Sequence, residues 1–180
     1  MRLPTLLSRD KLTIYLNDHL AGSTFGLELS RRLLAENRGT EFETVLAELA
    51  GEIEEDRGEL ERILDQLAVS RDRAKVTAGW VGEKLGRLKL NGQRVGYSPL
   101  SRLLELEGLS GGVHAKLDLW RALREIAPGE PRLEEQQLDG LIGRAESQLE
   151  RLASLHARAA VLAVGGSSQL RALVGTSPST

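Results

Sequence analysis

An apolar register with alternating spacings of four and three residues runs from Phe42 to Leu67, and it constrains the fold more than any other feature of the sequence. This spacing places its members on one face of an α-helix of about seven turns. The register consists of Phe42, Leu46, Leu49, Ile53, Asp56, Leu60, Ile63 and Leu67. A helix with one apolar face must bury that face against other elements, so the sequence predicts a helical bundle.

Four further helices are predicted from similar patterns, at about residues 8–37, 70–90, 98–127 and 132–164. Leucine is abundant and aromatic residues make up only 3% of the chain, which favours helices over strands. We therefore expect an all-α fold, an antiparallel, up-down bundle of four to five long helices. Residues 1–166 would form a single domain, and residues 167–180 a flexible C-terminal tail.

Local signals define where several of these helices begin and end. Thr40 and Glu43 have the spacing of a capping box, and Gly39 stands where a helix C-terminus favours a positive φ. Because the connection between them is short, the first two helices should form an antiparallel hairpin. Ser98 followed by Pro99 predicts another helix start, whereas the glycines from Gly108 to Gly112 leave the continuity of that helix open.

Several classes of function are disfavoured by composition. The net charge of −2 and a pI near 6.0 give no global attraction to nucleic acid or to an anionic membrane. Cysteine is absent and no apolar run is long enough for a membrane span, so we expect a cytoplasmic protein without disulfides. The sequence contains no GxxxxGK[ST], GxGxxG, GxSxG or HExxH motif, so it indicates no enzyme class.

Opposite charges are segregated along the chain. Ten acidic residues lie between Glu41 and Asp65, whereas seven basic residues lie between Arg71 and Arg94. The acidic and basic segments could pair with each other, or with the oppositely charged segment of a symmetry mate. Alternatively, the basic segment could bind an anionic partner, with Trp80 or Tyr97 available for stacking. The GxxxG spacings at 22–26 and 108–112 are interpreted as helix packing, because membrane dimerisation needs an apolar span.

The polar positions within the apolar registers are the candidate site residues. His19 and Asp56 interrupt their registers and should lie at one height if the hairpin turns near residue 38, so we expect them to face each other. The pair could serve only to fix helix register. It could instead belong to a site in the bundle core, with Glu107 as the first choice of further metal ligand and Glu150 as the second.

Three stretches resemble an uncharacterised family of short bacterial helical-bundle proteins, ferritin-like in architecture only. They are YLNDHLAG at 15–22, AKVTAGWVGEKLGRLKLNG at 74–92, and the region from Ser98 through LLELEGLS to KLDLWRAL. Ferritin-like di-metal proteins carry two Glu-x-x-His motifs on facing helices. Here the residues three positions before His19, His114 and His156 are Leu16, Gly111 and Ala153, so the resemblance transfers no metal ligands.

Two functions follow as expectations. The first is a non-enzymatic role in assembly or protein interaction, as a homo-oligomer or with a protein partner. The second is a degenerate ferritin-like protein that binds a divalent metal or a small ligand through His19, Asp56 and Glu107.

Overall fold

Four helices that pack against each other form the structure, a computed structural model that describes residues 4–71 and 97–166, with side chains from residue 10 onward. They are α1 (Pro4–Glu36), α2 (Glu43–Gln66), α3 (Pro99–Ile126) and α4 (Glu135–Val164). A 3₁₀ turn, Ala127–Gly129, lies between α3 and α4, and no strand occurs within these ranges. The predicted all-helical class is therefore confirmed there. The expected helix at 70–90 and the tail at 167–180 lie outside the described residues, apart from residues 70 and 71.

The predicted register of α2 is confirmed along its whole length. All seven of its apolar members are buried, and so is Asp56, which is only 2% exposed. They face a leucine-rich core shared by all four helices. No helix in the described ranges is long and apolar enough to cross a membrane.

The turn between α1 and α2 differs from the predicted capping box. Helix α2 begins at Glu43, two residues later than a cap at Thr40 would give. The Glu43 carboxylate accepts a hydrogen bond from the Gly39 backbone N–H, and the Thr40 hydroxyl accepts one from the Phe42 backbone N–H. These side chains thus stabilise the turn itself. Gly39 has the expected positive φ, 73°.

Helix α3 is continuous through Gly108, Gly111 and Gly112, which settles the question that the sequence left open. Its start is as predicted: the Ser98 hydroxyl accepts a hydrogen bond from the Ser101 backbone N–H at 3.0 Å, and Pro99 follows the cap. Proline suits this position because its missing N–H would have no intrahelical acceptor there.

The buried face of α4 is rotated relative to the predicted register. The 4,3 spacing in the sequence predicts one buried face made of Leu138, Ile142, Ala145, Leu149, Leu152, His156, Ala159 and Ala163. The buried residues of α4 are Leu138, Leu141, Ala145, Gln148, Leu152, Leu155 and Ala159. Ile142, Leu149 and Ala163 are only partly buried at the edge of the core. The rotation arises because α4 carries apolar residues on both flanks of its buried face, and because the core takes up the polar Gln148.

Contacts at the helix ends show how the chain runs. Arg31 pairs with Glu54, and Asn17 donates to the backbone carbonyl of Ser70, so α2 returns alongside α1. Arg102 near the start of α3 bonds to Asn37 beside the α1–α2 turn, whereas Arg132 after α3 donates to the carbonyl of Leu67 at the end of α2. Helices α2 and α3 therefore start at the same end of the four-helix body.

The α2 register predicts that Leu49→Ala will lower the free energy of unfolding by about 2–5 kcal/mol, since it leaves a cavity in the core. Urea denaturation measures this loss. Leu100→Ala is the matched control, because Leu100 is 40% exposed, and it should cost much less. Equal losses for the two variants would contradict the burial of this face.

Candidate ligand-binding site

Helices α2, α3 and α4 each bring one polar residue from the apolar register to a common point. Asp56 belongs to α2, Lys116 to α3 and Gln148 to α4. Lys116 and Gln148 were missed at the sequence level, although each interrupts an apolar register as Asp56 does. Their registers are Leu109, Val113, Lys116, Trp120 and Leu123 on α3, and Leu141, Ala145, Gln148, Leu152 and Leu155 on α4.

The three side chains are hydrogen-bonded to one another, and Gln148 Nε2 also donates to Glu52 Oε2 at 3.0 Å. Lys116 Nζ lies 2.5 Å from Asp56 Oδ2 and donates to Gln148 Oε1 at the same distance, while Gln148 Nε2 donates to Asp56 Oδ2 at 3.0 Å. Arg144 is 2.6 Å from Asp56 Oδ1, as an ion pair without hydrogen-bond alignment. Burial lowers the pKa of Lys116, and the charge of Asp56 opposes this shift.

A ladder of ion pairs extends this contact along the α2–α4 seam. Its rungs pair Glu41 with Arg158, Glu48 with Arg151, and Glu55 with Arg144. Both sets of residues repeat every seven positions, a signal in the sequence that would have matched the two helices. Four acids of α2, namely Glu48, Glu52, Glu55 and Asp56, thus pair with Arg151 or Arg144 of α4. The sequence had left open whether the segment 71–94 or a symmetry mate complements the acidic segment. Of the segment 71–94 only Arg71 is described, and it pairs with Asp65.

A cavity of about 730 Å³ lies between α1 and α3, with α2 at its base. Apolar side chains and glycines line most of it, together with His19, Asp56, Lys116 and Trp120. The glycines are Gly22 and Gly26 on α1 and Gly108, Gly111 and Gly112 on α3. The cavity therefore lies between the two GxxxG stretches, one on α1 and the other on α3.

The interpretation of the GxxxG spacings as close helix packing is wrong for most of these glycines. A Cβ atom at Gly22, Gly26, Gly111 or Gly112 would meet no atom of the described residues within 4 Å. Only at Gly108 would it touch a neighbour, the Leu29 side chain at 3.4 Å, which is ordinary contact. Across most of this stretch, the glycines leave space between α1 and α3.

His19 is half-buried in the wall of the cavity. Its ring packs edge-on against Tyr15, with 4.6 Å between the ring centroids. Burial lowers the pKa of His19, while the charges of Asp18 and Asp118 act in the opposite direction. The neutral imidazole therefore prevails at neutral pH and can both donate and accept a hydrogen bond.

The residues of the predicted metal set, His19, Asp56 and Glu107, all line this cavity. No hydrogen bond joins His19 to Asp56 in the described part of the chain. The α1–α2 turn occupies more residues than the sequence suggested, and Arg31 pairs with Glu54 across the two helices. The position on α2 opposite His19 therefore lies C-terminal to Asp56. Glu107 lies 3.1 Å from His156.

The donor set suits a metal poorly. Lys116 and Arg144 already neutralise the Asp56 carboxylate, leaving it little charge for a cation. Within residues 10–71 and 97–166, no three histidine or carboxylate side chains are grouped to hold a metal ion. Glu150, the second-choice ligand, and His114 are both exposed and do not line the cavity.

Trp120 adds a buried donor to the site. Its side chain is fully buried and lines the cavity, but its indole N–H has no hydrogen-bond partner. Buried N–H groups in proteins nearly always have an acceptor, so an unpartnered one beside a cavity calls for an explanation.

No protein-family model, curated protein or solved structure matches the chain. The function therefore has to be argued from the geometry of this site.

The buried charges predict strong coupling between Asp56 and Lys116. Asp56→Leu should cost about 3–5 kcal/mol of unfolding free energy, because it leaves the partly buried cations Lys116 and Arg144 without their buried counter-ion. The double variant Asp56→Leu/Lys116→Met should lose about 1–3 kcal/mol less than the sum of the single variants.

A double-mutant cycle in urea measures this coupling. The exposed pair Arg31 and Glu54 provides the matched control and should show a much smaller coupling. Additive effects at Asp56 and Lys116 would mean that the two residues stabilise the fold independently.

Proposed function

We propose that this protein binds a small, largely apolar organic molecule in the cavity between α1 and α3, as a non-enzymatic binding protein. The observation that carries the proposal is the set of glycines whose Cβ positions are empty. The cavity volume of about 730 Å³ lies within the range of small-molecule sites, roughly 300–1,000 Å³.

The glycines reduce the stability of the helices that contain them. A glycine inside a helix costs about 0.5–1 kcal/mol relative to alanine. Gly22, Gly26, Gly111 and Gly112 lie inside α1 and α3, and no contact with a described residue requires them to lack a side chain. What they have in common is that they keep the cavity open, which is the property a ligand needs.

The remaining walls fit such a ligand. Phe25, Ile53 and Leu119 supply apolar surface, and the glycine stretches present bare backbone against which a flat molecule can lie. The half-buried His19 ring supplies a hydrogen-bonding group for orientation. A few polar groups in a mostly apolar cavity are typical of small-molecule sites.

We also propose a ferritin-like helix order for the bundle. In that order two hairpins are joined by one long crossover. The pairing of α1 with α2 and of α3 with α4 supports it, as does the common starting end of α2 and α3.

Self-association is a second proposal, favoured by large apolar side chains that are exposed on the described surface. Ile14 is 53% exposed, Val164 is 70% exposed, and Ile126 is 42% exposed at the end of α3. Light scattering coupled to size-exclusion chromatography tests it over a range of concentrations. A monomer at every concentration would overturn this proposal and leave the ligand site untouched.

Ligand binding can be tested with N-phenyl-1-naphthylamine, a neutral aromatic dye that fluoresces in apolar sites. We expect saturable binding of one dye per chain. Gly26→Leu and Gly112→Leu should each weaken binding by at least about tenfold, because a leucine side chain fills the space that the dye needs.

Gly51→Leu is the matched control, since Gly51 also has an empty Cβ position but lies outside the cavity. Its dye affinity should equal that of the unchanged protein. Absence of saturable binding, or equal loss in all three variants, would overturn the proposed function.

The same glycines predict a gain in stability. Gly22→Ala and Gly26→Ala should each raise the free energy of unfolding by about 0.5–1 kcal/mol, because alanine favours the helix and meets open space. Gly39→Ala should lower it, since φ at this residue is +73°. Thermal denaturation distinguishes the two directions, and a loss at Gly22 or Gly26 would show that these glycines are needed for packing.

A further inference from the structure

We propose that the ligand of the cavity is an uncharged, planar aromatic molecule whose polar group, a hydroxyl, forms a hydrogen bond with His19. Its rings would lie between the glycine stretches of α1 and α3. This inference rests on the proposed ligand-binding function and specifies the chemistry of the ligand, a molecule of the phenol class.

The shape of the cavity is the first observation. Arg102 near the start of α3 bonds to Asn37 just after α1, so these two ends lie together. Leu12 and Ile126, near the opposite ends of the two helices, border a common groove. Helices α1 and α3 are therefore antiparallel, and the glycines of α1 lie across the cavity from those of α3. Two facing walls of bare backbone form a slot that suits a flat ring system.

The second observation is the balance of charge at the base of the cavity. Asp56 contacts both Lys116 and Arg144. Glu52, one turn earlier on α2, pairs with Arg151 at 2.5 Å. The negative charges of Asp56 and Glu52 both act on Lys116, and the positive charge of Arg144 opposes them. A charged ligand would therefore find no excess of the opposite charge at the base.

The remaining charged residues of the wall offer no better counter-ion. Arg57 pairs with Glu61 at 2.9 Å, and Glu107 lies 3.1 Å from His156. Asp18 is exposed, so water screens its charge. A ligand with a full charge would lose its hydration in the cavity and gain no buried counter-ion, which favours an uncharged ligand.

The third observation is the position of His19 at the end of the slot. It precedes Gly22 by three residues and Gly26 by seven, so the three residues share one face of α1. Its ring packs edge-on against Tyr15, and its nitrogens form no hydrogen bond with another described residue. Burial lowers the pKa of His19, so the ring carries one donor and one acceptor at neutral pH.

A hydroxyl is the polar group that fits this imidazole best. It can donate to the acceptor nitrogen or accept from the ring N–H, so it matches whichever nitrogen faces the slot. A carbonyl or ether oxygen can only accept. A flat aromatic ring with one hydroxyl therefore uses both the glycine walls and the His19 ring.

The first test compares ligands that share one skeleton and differ in charge. 2-Naphthol, naphthalene-2-sulfonate and protonated 2-naphthylmethylamine are each used to displace N-phenyl-1-naphthylamine, so that all report on the same site. We expect 2-naphthol to bind at least about tenfold more tightly than either charged compound. Gly112→Leu should weaken 2-naphthol, whereas Gly51→Leu should not, because Gly51 lies outside the cavity.

The second test isolates the hydrogen bond to His19. Naphthalene is 2-naphthol without the hydroxyl, and the readout is the ratio of their dissociation constants, because a change in the cavity wall alters both affinities. His19→Phe should reduce the relative affinity for 2-naphthol by at least about fivefold, since the hydroxyl is then buried without a partner. His19→Gln, which keeps a donor and an acceptor, should retain more of this preference than His19→Phe.

His114→Phe is the matched control for this substitution. His114 is exposed and does not line the cavity, so the affinities for both compounds should be unchanged.

Nitrogen NMR of the imidazole rings gives a measurement that needs no variant at His19. In the unchanged protein, 2-naphthol should shift the ring nitrogen signals of His19 and naphthalene should shift them much less, because a hydrogen bond changes the shielding of the nitrogen. The signals of His114 should stay in place with both compounds.

The outcomes separate this inference from the function on which it rests. Binding of either charged compound as tightly as 2-naphthol would overturn the uncharged class of ligand. An unchanged ratio in His19→Phe would overturn the role of His19, and if that variant does not fold, unshifted His19 signals with 2-naphthol would do so. Saturable binding of N-phenyl-1-naphthylamine would leave the proposed function standing in each case. Failure of the dye and of every naphthalene compound to bind would overturn the proposed function itself.

Discussion

A carboxylate that is 2% exposed cannot remain ionised inside a protein unless cations and donors replace the water it has lost. Asp56 is such a group, and its partners come from two other helices: Lys116 from α3, and Gln148 and Arg144 from α4. Satisfying this one charge requires the three helices to approach at one height and in one rotation. The orientation of α4, which buries Gln148 where Leu149 had been expected, follows from this requirement.

The α2 register and the break at Asp56 were visible in the sequence because regular spacing along one helix is a local property. The partner of Asp56 was not visible in the same way, since pairing across helices depends on the length of the α1–α2 turn and on the rotation of α4. His19 was chosen by counting residues from a turn at residue 38. Helix α2 begins only at Glu43, so the count shifted. A search for single polar breaks in every register would have found Lys116.

The cavity could not be predicted from the glycine pattern, although the glycines themselves are visible in the sequence. Glycines spaced four apart suggest helices in close contact, but the same residues can also hold two helices around a space. Which of the two occurs depends on side chains elsewhere: the core leucines of α1 and the Asp56 contacts support α3 at its distance from α1. The site and the fold are thus linked through Lys116, which neutralises Asp56 on one side and borders the cavity on the other.

Because the ion pairs between α2 and α4 repeat every seven residues, they do not by themselves fix the position of α4 along α2. If α4 slid by two turns, Arg158 could pair with Glu48 and Arg151 with Glu55, and the apolar stripes would still interleave. The lone polar break in each stripe opposes this slip, because Asp56 would then face Leu155 and lose its donors. The buried polar contact therefore gives the bundle a unique alignment that the many surface ion pairs cannot supply.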